Sequence, residues 1–194
     1  RFIDSERLAP FSPRGSDVAV VLDLMIHDID LLLTLVGTDA KEISAVGVPV
    51  LTPMLDIANA RVTFVSGAVA NITSSRISRE RKRKIRIFQQ SGYLSLDLAA
   101  GSGEFFRLRS DIDPLSIRSA PADITAFVDR IKLEAPAGEP LKLELESFAA
   151  ALNGEGPVVV TGEEGRMALG VALRIVKEIE LTLPSLVGRA HHHA

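Results

Sequence analysis

Residues 20–33 read VVLDLMIHDIDLLL and set three carboxylates and one imidazole into an otherwise aliphatic segment. The segment belongs to a longer apolar run from Val18 to Val36, which ends at Gly37, a typical residue for a helix stop. Asp17 precedes the run and is the predicted N-cap. Because four ionisable groups near its middle would make lipid exposure costly, the run predicts a buried helix and not a membrane span.

The polar residues of this helix fall into two groups. At about 100° per residue, an α-helix places Asp23, His27 and Asp30 within an arc of roughly 60° and leaves Asp28 outside it. An imidazole beside a carboxylate suits proton transfer near neutral pH, so the stripe indicates a general acid–base site. Two other interpretations stay open: a paired cluster that only docks the helix, and an incomplete site for a divalent metal.

Outward from the helix, the sequence changes to short alternating runs separated by turn residues, which predict strands and hairpins. The predicted strands are residues 1–8, 42–51, 59–65, 68–75, 83–90, 93–98 and 104–109, with another around Val128 to Leu133. Strand, helix, a run of strands and two closing helices predict an α+β fold: an open, mainly antiparallel β-sheet with helices packed on one face.

Helical spacing returns twice near the end of the chain. Residues 139–152 predict one helix, which stops at Asn153-Gly154. The final helix begins with Thr161 and Glu164 at the spacing of a capping box. Its apolar residues, predicted to dock it, are Met167, Leu169, Val171, Leu173, Ile175 and Ile179.

Composition narrows the class of protein. The chain has 194 residues, 46% of them hydrophobic, a net charge of −3 and no cysteine. It can bury a core as one domain, whereas its charge argues against a nucleic-acid partner. No signal peptide is evident, and the lack of thiols is consistent with a reducing compartment, so a cytoplasmic location is expected. Residues 190–194, AHHHA, are interpreted as a tail or tag remnant and not as a metal site.

Two motifs carry a family resemblance. VVLDLMIHDIDLLLTLVG resembles the D-x-x-x-H-x-x-D helix of the glucose-fructose oxidoreductase / inositol dehydrogenase (Gfo/Idh/MocA) family. LELESFAAALNGEGPVVVTGEEGRMALGVALRIV is similar to that family's closing segment, and the strands between fit its C-terminal sheet domain. The resemblance implies that residues 1–194 form the substrate-binding and oligomerisation domain, without the family's N-terminal Rossmann domain.

The resemblance implies an NAD(P)-dependent dehydrogenase that acts on a hydroxyl carbon of a sugar or cyclitol. His27 would accept the hydroxyl proton, Asp23 would orient His27 and the substrate, and Asp30 would support the site or contact substrate, whereas Asp28 would be structural. NAD or NADP would be bound mainly by the Rossmann domain, whose G-x-G-x-x-G turn and E-K-P lysine this sequence lacks. The chain alone is therefore expected to be inactive.

Within the family, FSPRGSDVAVVLDLMIHDID and SRISRERKRKIRIFQ most resemble the branch acting on sugar nucleotides, in particular UDP-N-acetylglucosamine 3-dehydrogenases. Arg14 is placed to meet a phosphate or carboxylate, although a surface loop position is the alternative. Arg76 opens a basic run to Arg86 that would suit a diphosphate or would charge a strand edge. Both are candidate substrate-binding residues.

A second class of function stays open. The chain could be a non-catalytic sheet module for assembly or ligand binding. In either case the sheet face without helices is available for self-association, so a homodimer or homotetramer through the sheet is expected, with no nucleic-acid or membrane partner.

Overall fold

The computed structural model describes residues 1–109 and 127–190, with side chains described as far as residue 183. A π-helical turn, Val21–Met25, runs directly into the first helix. The helices are α1 (Ile26–Val36), α2 (Pro140–Leu152) and α3 (Gly162–Ala190). The strands are β1 (Phe2–Leu8), β2 (Ala40–Val48), β3 (Ile57–Phe64), β4 (Val69–Ser75), β5 (Lys82–Gln89), β6 (Gly92–Asp97), β7 (Ser102–Leu108) and β8 (Val128–Glu134).

The strands form one open sheet in the order β2-β3-β4-β1-β5-β6-β7-β8. Strand β1 pairs with β4 in parallel, and the remaining neighbours pair antiparallel. The predicted α+β class and the predicted strands, including the one around Val128, are confirmed. The parallel pair arises because the chain crosses from β1 through α1 before it returns to the sheet.

One sheet face carries the core. Helix α3 packs on β2 and α1, and the π-helical turn packs on β4. Along β1, alternate residues point to this side, and they are buried whether apolar or polar: Ile3, Ser5 and Arg7. The largest fully buried side chains of the core are Ile3, Met25, Ile29, Leu32, Ile72, Ile85, Ile175 and Ile179.

Several predicted helix signals are confirmed. Gly37 ends α1 in the left-handed region, with φ of 72°, where a side chain would be strained. At the start of α3, the Thr161 N–H donates to Glu164 Oε2 at 2.7 Å, and the Glu164 N–H donates to Thr161 Oγ1 at 3.2 Å. These reciprocal bonds are the predicted capping box. The Thr161 N–H and the Thr161 hydroxyl both donate to the Glu164 carboxylate, and they lower its pKa because they stabilise the charged form.

Three predictions about packing are wrong in detail. Asp17 is exposed and does not cap the helical segment, which begins at Val21 with Val20 at the N-cap position and no side-chain cap bond. Leu169 and Leu173 are exposed, so they do not help to dock α3. Helix α2 has no buried residue at all, although its apolar spacing was expected to cover the sheet.

The described helices include none with both the length and the apolar character needed to span a membrane. The histidines of the terminal AHHHA stretch, residues 191–193, lie outside the described residues.

Candidate functional site

The polar turn at the start of the predicted helix is not α-helical. The Ile26 N–H donates to the Val21 carbonyl, five residues back, whereas α-helical bonds reach four residues back. This wider turn contains Asp23 and changes the angle between successive side chains. The stripe predicted from α-helical spacing therefore does not hold before Ile26, and π-turns of this kind are frequent at functional sites.

Asp23 faces the loop before the helix and the end of strand β4. Its carboxylate is about one-third exposed and has its Oδ2 3.9 Å from Arg76 Nη2. Gly15 of the loop packs against the same carboxylate, so closely that a Cβ on this residue would lie 3.1 Å from Oδ2. Asp23 is thus held on one side by a cation and a glycine, and open to solvent on the other.

His27 lies on the first turn of α1 and is exposed. Within residues 1–109 and 127–183, no side chain hydrogen-bonds to its imidazole, so the structure does not bring it into contact with Asp23. Catalytic hydrogen bonds often form only when substrate is bound, so this separation is compatible with the predicted role of His27 as proton acceptor. An exposed imidazole one turn beyond a partly exposed carboxylate is available to a hydroxyl group.

Asp28 faces the opposite way and is buried. Arg7 of β1 donates to it through Nε at 2.7 Å and through Nη2 at 3.0 Å, a bidentate pair. The two side chains are only 10% and 3% exposed. The separation of Asp28 from the other polar residues is confirmed, and its carboxylate joins α1 to the centre of the sheet.

Asp30 lines a different hollow, of about 290 Å³, between the end of α1 and the start of α3. The residues that share the hollow include Thr34, Asp39, Glu164 and Met167. Three carboxylates around one opening suit hydroxyl or amine groups better than a phosphate, because like charges repel. Asp23 does not line this hollow, so the structure places Asp30 apart from the surroundings of Asp23.

Arg76, just beyond the end of β4, is 4% exposed. Its Nη1 donates to the Gly15 carbonyl at 2.6 Å, and its Nη2 donates to the Val18 carbonyl at 2.5 Å. Both terminal nitrogen atoms are thus occupied by the loop that precedes the helix. Arg14, in the same loop, is exposed, so Arg14 and not Arg76 has its guanidinium in solvent.

Asp56 is the third member of a charged cluster that also contains Asp23 and Arg76. Its carboxylate is fully buried, and its Oδ1 lies 3.9 Å from Arg76 Nε. Oδ2 accepts the backbone N–H groups of Val50, Leu51 and Thr52 at 2.6–2.9 Å, and Oδ1 accepts the Thr52 hydroxyl at 2.8 Å. Burial acts to raise the pKa of Asp56, but these donors outweigh it and lower the pKa below its ordinary value of 3.8.

Three further residues of the basic run are paired on the free face of the sheet. Lys82 lies 2.5 Å from Glu6, Lys84 lies 3.5 Å from Asp97, and Arg86 pairs with Asp4. Charge pairing along adjacent strands therefore explains these residues without a ligand. A substrate diphosphate would have to compete for them.

The metal interpretation gains no support from the described residues, among which no group of three or more histidine and carboxylate side chains could hold a metal ion. Of the glycine cluster Gly101-Ser102-Gly103, Gly101 lies in the turn between β6 and β7, and the other two residues begin β7, so no helix follows. This glycine pair therefore does not form a dinucleotide-binding turn.

Two buried charged residues near the candidate site, Arg7 and Asp56, were missed from the sequence. Arg7 carried a signal, because it alternates with Ile3 on the core face of a predicted strand, where a charge needs a buried partner. Asp56 lies one residue before β3 in a loop and had no comparable signal.

Comparison with known proteins agrees with this architecture. The family model described as the GFO/IDH/MocA C-terminal domain matches residues 8–95. A UDP-N-acetylglucosamine 3-dehydrogenase of Acidithiobacillus ferrooxidans is 37% identical over 183 residues, which are 94% of this chain and 56% of that protein. The chain belongs to the GFO/IDH/MocA family. Its described fold is the family's C-terminal α+β domain.

Solved structures extend the likeness. A crystal form of UDP-N-acetylglucosamine 3-dehydrogenase from Acidithiobacillus ferrooxidans matches with a TM-score of 0.80 and 36% identity, over 94% of this chain and 56% of that one. Levoglucosan dehydrogenase, in complex with NADH and L-sorbose, has the same fold, with a TM-score of 0.71 and 15% identity over 92% of this chain and 56% of that one. The chain thus spans just over half the length of these relatives.

Proposed function

We propose that this chain is the substrate-binding half of a nicotinamide-dependent dehydrogenase that oxidises a hydroxyl carbon of a sugar nucleotide. The observation that carries the proposal is the 37% identity, over 94% of the chain, to a UDP-N-acetylglucosamine 3-dehydrogenase. The exposed His27 and the partly exposed Asp23 fit this chemistry, because the substrate hydroxyl must lose a proton as its carbon loses a hydride.

In the proposed reaction His27 accepts the hydroxyl proton. Asp23, one turn earlier, would orient His27 and the substrate hydroxyl, from which its carboxylate can accept a hydrogen bond. NAD or NADP, held mainly by a cofactor domain of the parent enzyme, supplies the acceptor for the hydride. Since the described residues provide no dinucleotide-binding turn, we expect the chain to be inactive without that domain.

We assign Arg14 the direct contact with the diphosphate, because its guanidinium is exposed in the loop that packs on Asp23. Asp30 would contact sugar hydroxyls in its own hollow or support the helix end. The position of Arg76 favours an indirect contribution to substrate binding, since its guanidinium is buried against backbone carbonyls.

The parent enzyme tests the proposal. The full polypeptide encoded by the gene, supplied with NAD⁺ or NADP⁺ and UDP-N-acetylglucosamine, is expected to produce reduced nicotinamide and a keto sugar nucleotide. UDP-glucose and free N-acetylglucosamine serve as comparison substrates that separate recognition of the sugar from recognition of the nucleotide. Failure to reduce either cofactor with any sugar nucleotide would contradict the proposal.

The free sheet face supports a further part of the proposal, assembly into a homodimer or homotetramer. Four aromatic rings stack across it from strand to strand, with centroids 4.8–5.9 Å apart: Phe2, Phe88, Tyr93 and Phe106. Arg130 continues the row over the last ring. An aromatic row beside internally paired charges suits a second copy of the same surface.

We also propose a cytoplasmic location, since a cysteine-free chain suits a reducing compartment.

The alternative, a non-catalytic assembly module, rests on the same face. It predicts tight self-association of the chain without affinity for sugar nucleotides. Gel filtration combined with calorimetric titration of UDP-N-acetylglucosamine separates the two, because the dehydrogenase proposal requires the sugar nucleotide to bind.

A further inference from the structure

We propose that Arg76, supported by Asp56, is a positioning residue that holds the 10–18 loop against Asp23. The inference rests on the proposed function, which gives Asp23 and the loop residue Arg14 their roles. It assigns no contact between Arg76 and the substrate. Arg76 acts instead on the backbone that carries the contacting groups.

The first argument is where the guanidinium donates. Its two terminal nitrogen atoms bond to the carbonyls of Gly15 and Val18, at 2.6 and 2.5 Å. A fork that bonds two carbonyls three residues apart fixes both the position and the direction of the loop between them. The loop joins β1 to the π-helical turn, so its position also determines where that turn begins.

The second argument is the charge around Arg76. The cation is almost completely buried, and it has one carboxylate on each side, Asp23 and Asp56, both at 3.9 Å. Its Nε is buried without a hydrogen-bond partner. Asp56 is kept ionised by three backbone N–H groups and the Thr52 hydroxyl, so it supplies the compensating charge that a buried guanidinium requires.

The third argument is the contact between Gly15 and Asp23. Gly15 has φ of +74°, and a Cβ there would approach the Asp23 carboxylate to 3.1 Å. The loop backbone and the carboxylate are therefore packed against each other while Arg76 holds the loop from behind. Loss of the clamp should release the loop and the side chain together.

Amide hydrogen exchange on the chain tests the clamp directly. Arg76→Lys keeps the charge but replaces the planar fork, which bonds the two carbonyls through separate nitrogen atoms, by a single nitrogen. The amides of residues 16–23 are therefore expected to exchange at least tenfold faster. Arg174→Lys is the matched control, because Arg174 also bonds two carbonyls, those of Ala40 and Lys41, at 2.8 and 3.0 Å. Unchanged exchange over 16–23 in a folded Arg76→Lys protein would overturn the proposal.

A second variant keeps the test decisive if Arg76→Lys does not fold. Gly15→Ala disturbs the same contact from the loop side and leaves the buried arginine in place. Its control is Gly67→Ala, because Gly67 also has a positive φ, of +80°, but has open space around the Cβ position. Faster exchange over residues 16–23 is expected in Gly15→Ala only, and equal behaviour of the two glycine variants would count against the clamp.

Kinetics of the full polypeptide separate positioning from a merely structural role. Arg76→Lys and Gly15→Ala are expected to raise KM for UDP-N-acetylglucosamine at least fivefold and to lower kcat, with KM for the nicotinamide cofactor unchanged. A structural defect would lower the active fraction and move neither KM, which would overturn the positioning role. If the wild-type polypeptide oxidises no sugar nucleotide, the proposed function fails, whereas the exchange experiment still decides whether Arg76 holds the loop.

Discussion

Arg7 and Asp28 form a bidentate ion pair between the central strand β1 and helix α1, with bonds of 2.7 and 3.0 Å. Asp28 directly follows His27 in the chain. The pair therefore fixes the turn that carries the proposed proton acceptor onto a central strand of the sheet. Because both groups are buried, each charge is compensated by the other and not by water.

We expect Asp28→Asn to lower the free energy of unfolding by about 3 kcal/mol, because it leaves the buried Arg7 guanidinium without its countercharge. Urea denaturation followed by circular dichroism measures the change. The control Glu146→Gln, which removes an exposed pair with Lys142 on α2, should leave the midpoint unchanged. The double variant Arg7→Met, Asp28→Leu should recover much of the loss, and a loss as large as in Asp28→Asn would contradict the charge argument.

Stability should also depend on the ionisation of Asp56. Its pKa is lower in the folded protein than the ordinary value of 3.8, because the donors from residues 50–52 outweigh the effect of burial. The folded state therefore binds this proton less tightly than the unfolded chain. The stabilisation is complete above the unfolded pKa and is lost as the pH falls through the folded one.

Asp56→Asn removes this dependence. We expect it to lower the free energy of unfolding by about 2 kcal/mol at neutral pH, since an amide cannot accept all the donors that the carboxylate accepts. The difference between wild type and variant should shrink as the pH falls below 4. Denaturation curves at a series of pH values check this, and a difference that is constant down to pH 3 would be inconsistent with it.

The sequence was sufficient for the features that depend on local spacing. Alternation located the strands, Gly37 located the end of α1, and the Thr161–Glu164 spacing located the start of α3. Each of these signals involves residues close together in the chain. The resemblance to the family rested on the same kind of local pattern, the motif around Asp23 and His27.

What the sequence did not predict depends on partners far apart in the chain. The π-helical turn follows a loop whose carbonyls are bonded by Arg76, some 60 residues later, and no local pattern announces it. Asp17 looked like a cap, but the loop path set by that bond leaves it in solvent. Amphipathic spacing correctly predicted α2 as a helix, yet spacing alone could not show that its apolar side chains, such as Phe148, stay exposed.

His27→Ala tests the proposed proton acceptor in the full polypeptide. We expect kcat to fall by about 10²- to 10⁴-fold, the usual contribution of a general base, with the melting temperature unchanged because the side chain is exposed. Leu35→Ala, another exposed position on α1, should keep its activity. A variant that retains the wild-type pH–rate profile would rule out His27 as the base.

The aromatic row on the free sheet face provides the test of assembly. Phe88 lies in the middle of the row, 5.6 Å from Phe2 and 4.8 Å from Tyr93 by ring centroids, and it is 40% exposed. Phe88→Asp should shift the protein to monomers in light-scattering chromatography, because association would bury the new charge without a partner. Val65→Asp, at the exposed β3–β4 turn, adds the same charge elsewhere and should leave the oligomer intact. Retention of the oligomer by Phe88→Asp would show that the copies associate through another surface.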